Sequence, residues 1–122
     1  MLISTDKAVP IYLQIAEGIE TDILNGLLLE EKSAYSQYQI AKQFSINPAT
    51  AAKGINLLVQ SKVLYKKRGL GMFVSKGAVE MIKNKRKDIF LSNTIESFMQ
   101  EAKKLGITKA ELKDIIDEYK GD

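Results

Sequence analysis

Apolar residues recur every fourth position at Ile11, Ile15, Ile19 and Ile23, the spacing of one face of an α-helix. Pro10 gives that helix its start, since a fixed φ and a missing N–H suit a first turn, and Asn25-Gly26 ends it. After a connecting segment from Leu27 to Lys32, Ser36 and Gln39 stand at capping-box spacing ahead of a short second helix that turns Ile40, Ala41 and Phe44 inward. The turn Ser45-Ile46-Asn47 follows. Asn47-Pro48 then marks a third helix start: proline pushes the residue before it out of the α region, and asparagine supplies the capping oxygen. This helix is predicted to run to about Ser61, with Ala51, Ile55 and Leu58 inward and Ala49, Thr50, Lys53 and Asn56 outward. Gly54 in its middle costs about 1 kcal/mol of helix propensity relative to alanine, which predicts close packing there.

Beyond this the period shortens. Val63-Leu64-Tyr65 and Met72-Phe73-Val74 are β-prone trios joined by Lys66-Lys67-Arg68-Gly69-Leu70-Gly71, which reads as a hairpin with a basic, flexible tip. Helical spacing returns after Gly77-Ala78 with Val79, Ile82 and Ile89, then Ile95, Phe98, Met99, Ala102 and Leu105, closed by Gly106. Three cap-type residues, Ser92-Asn93-Thr94, predict a kink or break within that stretch. Thr108 and Glu111 form a second capping box, followed by Leu112, Ile115, Ile116 and Tyr119. The predicted fold is mainly α with a small β-hairpin: a winged helix-turn-helix over residues 1–76 and a short helical tail over 77–122. Two short amphipathic helices have little of their own to bury. A two-fold homodimer is therefore expected to cover Ile82, Ile89, Ile95, Phe98, Met99, Leu105, Leu112, Ile115, Ile116 and Tyr119.

Charge sharpens the picture. No Asp or Glu occurs between Glu31 and Glu80, whereas Lys32, Lys42, Lys53, Lys62, Lys66, Lys67, Arg68 and Lys76 all fall inside that stretch. Residues 1–76 carry nine Lys/Arg against six Asp/Glu, and residues 77–122 carry nine against nine, so the excess of the net +3 lies in the first part. A one-sign stretch coinciding with a helix-turn-helix and hairpin points to phosphates, hence to double-stranded DNA as partner. Small or polar residues at the start of the third helix suit close approach to base edges in a major groove. Its positive dipole end is expected to face phosphate. The candidate contacts are Asn47, Ala49, Thr50 and Lys53 on that helix, and Lys66, Lys67, Arg68, Gly69 and Gly71 on the hairpin.

Other chemistry is scarce. The chain has no histidine and no cysteine, which removes the commonest general base, the thiolate nucleophile and the usual metal ligands, so neither an enzyme nor a metal or cofactor site is expected. Gly69 and Gly71 are no nucleotide fingerprint, lacking a βαβ context. Lys83 to Lys87 reads as a solvated helix face, and Tyr12, Tyr35, Tyr38 and Tyr65 as amphipathic core-edge residues. The N-terminus lacks a basic segment leading into an apolar one, and no run of about 18 apolar residues occurs, so a cytoplasmic protein is expected. The alternative to a sequence-specific DNA reader is a winged helix used as a protein-interaction or RNA-binding module.

The segments PIYLQIAEGIETDILNG, SQYQIAKQFSINPATAAKGINLLVQSKVL and KKRGLGMFV resemble the winged helix of the GntR family of bacterial transcription regulators, over roughly residues 8–76. INPAT stands in place of the family's VNPNT, and GLGMFV matches its GxGxFV. The short remainder resembles the small YtrA-like branch, with a brief helical dimerisation tail. The resemblance implies a homodimeric repressor on a pseudo-palindromic operator, often of a transporter operon, with Ser36, Thr50, Lys53 and the wing glycines at DNA-contact positions. The family reads LPSxRELA at the second helix, with the arginine on DNA, whereas AYSQYQIA places Tyr38 there, an uncharged donor. Ala49 replaces the second Asn of the motif. The residues themselves leave room for a small-molecule effector of unknown identity at the dimer interface or the junction near Gly77, but no polar cluster marks a pocket at either.

Overall fold

The computed structural model describes residues 1–121. Helix α1 (Ile11–Leu24) follows Pro10, whose carbonyl accepts the Leu13 and Gln14 amides, and buries Ile15, Ile19 and Ile23 almost completely. It ends at Asn25, followed by Gly26 at φ +79°, where the Asp22 carbonyl accepts both the Leu27 and Leu28 amides. Helix α2 (Gln37–Phe44) starts on the expected capping box: the Gln39 amide donates to Ser36 Oγ at 3.1 Å and the Ser36 amide to Gln39 Oε1 at 2.8 Å. Ser45, left-handed at φ 53°, makes the turn, and Asn47, extended, caps helix α3 (Pro48–Gln60). Ala51, Ile55 and Leu58 face inward, as their spacing predicts.

Strands β1 (Leu64–Lys67) and β2 (Gly71–Val74) form the antiparallel hairpin, with Leu64 opposite Val74 and Tyr65 opposite Phe73. Lys66 and Lys67 thus lie in the strand, and the tip shrinks to Arg68-Gly69-Leu70. The connection after α1 supplies a third edge that spacing gave no sign of. Glu31 and Ala34 donate their amides to the Val74 and Met72 carbonyls, Val74 donates to the Lys32 carbonyl, and Ser33 bridges Phe73. Glu31 turns the chain into this edge at φ 65°.

Contacts divide the chain into a compact unit, Met1–Asn84, and a second one from Lys85. The core of the first joins Ile15, Ile19, Ile40, Ile55, Leu64 and Val74 with Ala78 and Ile82 of helix α4 (Ala78–Ile89). Ile82 therefore corrects the expectation of a pairing residue: it is 1% exposed and already spent in this core. The second unit contains helices α5 (Ile95–Lys104) and α6 (Lys109–Glu118). The irregularity expected at Ser92-Asn93-Thr94 is a π-helical turn, Phe90–Thr94, where Ser92 Oγ donates back to the Asp88 carbonyl at 2.8 Å. Gly106 at φ +74° and the Thr108–Glu111 capping box form the α5–α6 turn. Ala102 and Leu112 are buried within this unit, so Leu112 too is largely covered without a partner, at 8% exposure.

Two features of the first unit are open to measurement. A Cβ on Gly54 would lie 2.7 Å from the Tyr12 carbonyl oxygen and 2.9 Å from Ile15, so the close packing expected there is present. Gly54→Ala is predicted to lose about 1–3 kcal/mol to overpacking, outweighing the gain of about 1 kcal/mol in helix propensity. Urea unfolding that shows a more stable variant would contradict the close approach. The Tyr35 phenol, which donates to Asp22 Oδ2 at 2.6 Å, is pushed up to about 12 by burial and then by that bond and the carboxylate charge. Because the folded value is the raised one, its contribution is whole below the unfolded value of about 10 and fades as pH rises through the folded value. In spectrophotometric titration one tyrosine should ionise well after the others, and Asp22→Asn should bring it down.

Candidate nucleic-acid interface

On helix α3, Ala49, Lys53 and Asn56 are exposed and Thr50 is half-buried. Its opening amides are all engaged: Asn47 Oδ1 accepts the Ala49 amide at 2.8 Å, and the Asn47 carbonyl accepts those of Thr50 and Ala51. Pro48 has no amide to offer. The expectation that this helix start meets phosphate is narrowed accordingly, because the dipole remains while the backbone donors do not. Asn47 has likewise used its oxygen as a cap, which leaves its amide N–H groups as the chemistry it can turn outward. Ser36 is in the same position, its hydroxyl oxygen holding the α2 cap.

Lys53 does not project freely. Its Nζ lies 4.0 Å from the centroid of the Tyr12 ring on α1. A cation over an aromatic face at an exposed site gains about 0.5–1 kcal/mol, enough to bias the side chain toward one place and weak enough to release it to a phosphate or guanine. The sequence reading missed this role of Tyr12, since a pairing across 41 positions has no periodic signature.

The hairpin repeats the arrangement. Lys67 Nζ sits 4.3 Å from the Phe73 ring centroid and 6.0 Å from that of Tyr65, while those two rings are themselves 6.0 Å apart. Side chains alternate across the strand, so Lys66, opposite Met72, lies on the other face of the wing from Lys67. Arg68, Gly69 and Leu70 are exposed at the tip, with Gly69 at φ +78° and Gly71 at φ +99°. Leu70, 70% exposed, is an apolar tip residue that the reading for charge passed over. Tyr38 is 69% exposed at the start of α2. The acid-free stretch therefore folds into a surface that offers cations, amides and hydroxyls and no carboxylate from residues 32–79.

No protein-family model matches the chain. It is 32% identical over 108 residues to the HTH-type transcriptional repressor NagR of Bacillus subtilis, covering 88% of this chain and 41% of that one. The HTH-type transcriptional regulator YhcF of the same organism is 30% identical over 110 residues, with 90% of this chain and 89% of that one aligned. Among solved structures, a protein from Bacteroides thetaiotaomicron assigned as a transcriptional regulator of the GntR family superposes with a TM-score of 0.72 at 36% identity, covering 88% and 94% of the two chains. The chain belongs to the GntR family. It is a DNA-binding transcription regulator and not an enzyme. The DNA-binding domain of AraR in complex with operator ORX1 also matches this regulator, with a TM-score of 0.55 at 28% identity over 61% of this chain and 93% of that one. The chain spans less than half the length of NagR and most of YhcF. Among the described residues, no helix is long and apolar enough to cross a membrane.

The parking of Lys53 is directly testable. Ring-current shifts should move the Lys53 ε-proton resonances upfield in the native regulator and in Tyr12→Phe, and Tyr12→Ala should return them to ordinary lysine positions. Identical spectra for all three would rule the contact out.

Proposed function

We propose that this regulator is a cytoplasmic homodimeric repressor that reads a pseudo-palindromic operator with α3 and steadies it with the wing. The observation that carries the reading is the placement of Ala49, Thr50, Lys53 and Asn56 on the open face of α3, within a sequence stretch, 32–79, that has no acidic residue. Asn47 and Thr50 would donate to bases or phosphates, Lys53 to phosphate or guanine, and Lys66, Lys67 and Arg68 would hold the backbone beside the wing glycines. Tyr38, Ser36 and Ala49 complete the docking face, Tyr38 with a neutral phosphate donor and Ala49 by letting the helix sit deep in the groove. The operator complex of the related AraR domain supports duplex DNA as the partner.

The dimer rests on the second unit. Ile95, Phe98, Leu105, Ile115, Ile116 and Tyr119 are between 37% and 76% exposed, too much apolar surface on two short helices to leave in water. Ile89 at 48% and half-buried Met99 extend the same supply of unburied surface. Pairing through it would set two reading helices about 34 Å apart, one per major groove. Repression of a transporter operon is the role that the family resemblance suggests, with occupancy of the promoter blocking polymerase. A groove of about 620 Å³ in the second unit, lined by Met99, Ala102, Ile107 and Leu112 with Glu96 and Lys103 beside them, offers a place for an effector.

Fluorescence anisotropy with duplex from upstream of the regulator's own gene, against a scrambled control at about 50 and about 200 mM salt, tests the reading. Preference for the native duplex by about a hundredfold, weakening steeply with salt, is expected. Lys53→Ala should lose about 1–3 kcal/mol on the matched site alone if it reads a base, and should instead flatten the salt slope on every duplex if it grips phosphate. Equal weak binding to both duplexes would overturn the reading in favour of a protein or RNA partner. Light scattering that gives the mass of a single chain would remove the dimer.

A further inference from the structure

Helix α4 begins where the chain leaves the wing, and its opening amides need partners. Ala78 donates to the Ser75 carbonyl and Met81 to that of Gly77. Two others are taken from far away in sequence: Glu30 Oε1 accepts the Gly77 amide at 2.8 Å, and Glu30 Oε2 accepts the Val79 amide at 3.1 Å. One carboxylate thus caps the helix across separations of 47 and 49 residues. A negative group also suits the positive end of the helix dipole.

Glu30 is itself held firmly. The next residue turns at φ 65° into the edge that bonds β2, through Glu31 to Val74 at 2.7 Å and Ala34 to Met72 at 2.7 Å. Gly77, at φ +84°, gives the chain a bend that needs no side chain, and Ala78 and Ile82 immediately beyond it are sealed in the core. The first turns of α4 are therefore fixed by a buried pair below and by one carboxylate at the end. The backbone amides of Gly77 and Val79, followed by Lys76, hold the Glu30 carboxyl below the usual carboxylate range.

We propose that Glu30 is a positioning residue, whose carboxylate locks the start of α4 to the winged helix and so sets which half-site spacing the dimer accepts. Everything that pairs through the C-terminal helices reaches the reading helices by way of this start. Without the cap the Gly77 and Val79 amides lose their carboxylate acceptor and turn to water, and the start of α4 is held by buried Ala78 and Ile82 alone. The spacing consequence rests on the homodimer reading, whereas the lock itself does not.

Two measurements on the full chain separate them. Amide hydrogen exchange at Gly77 and Val79 should accelerate by about tenfold or more in Glu30→Ala, with Ala34 unchanged as a reporter of the intact edge, and Glu30→Gln should fall between. Unchanged exchange overturns the lock whatever the oligomeric state. On duplexes whose half-sites are moved by one or two base pairs, the native regulator should lose about tenfold in affinity, and Glu30→Ala should lose less than about threefold while binding a single half-site as well as the native chain does. A spacing profile identical in both proteins overturns the assigned consequence. A native protein indifferent to the second half-site would instead remove the dimer reading and leave the exchange result to stand alone.

Discussion

Helix α3 can lie against α1 as closely as it does because position 54 carries no side chain. The atoms a Cβ would meet are the Tyr12 carbonyl oxygen and the branched carbon of Ile15, backbone and a stiff residue rather than a flexible tip. That approach brings Ala51 and Ile55 into the core and turns Ala49, Lys53 and Asn56 outward. The same pair of helices sets Lys53 over the Tyr12 ring, its Nζ 4.0 Å from the centroid. The outward face of α3 is in this sense a consequence of a backbone contact on the opposite side of the helix.

Much of this was legible from local chemistry. Capping signals depend on residues within one turn of each other, so Ser36 with Gln39, Asn47 with Pro48 and Thr108 with Glu111 all mark helix starts where the structure has them. The hairpin and its glycines follow from the same kind of short-range preference. Ile82 was misjudged for an instructive reason: its helical spacing shows that it faces something apolar, and spacing cannot say whether that is the chain's own core or another copy. Lys53 with Tyr12, Glu30 with Gly77 and the strand-like pairing of residues 31–34 join positions far apart in sequence. Such partners leave no mark on periodicity and become visible only when the fold brings them together. The candidate site was legible as a charge pattern, whereas the prior engagements of its side chains were not.

Those engagements shape how the face can work. Asn47 and Ser36 spend their oxygens on caps, and the opening amides of α3 are satisfied by Asn47. At the start of α3 the backbone donors that could otherwise hold an anion are thereby taken up. Attraction is left to lysines and Arg68 on flexible stems, and two of those, Lys53 and Lys67, rest on aromatic rings in the same chain.

A lysine resting on a ring is neither neutralised nor buried, so its long-range field still draws a duplex toward the surface. Its short-range contact, however, must compete with the ring, and only a partner that offers more than a cation–π contact of about 0.5–1 kcal/mol will take it. A phosphate at the right distance or a guanine edge meets that condition, whereas a misplaced phosphate on an ill-fitting site does not. The aromatic residues therefore set a threshold that any partner of these two lysines must exceed. Tyr38, 69% exposed and uncharged, differs from the lysines in kind: its hydroxyl carries no long-range field and rewards only a well-placed acceptor.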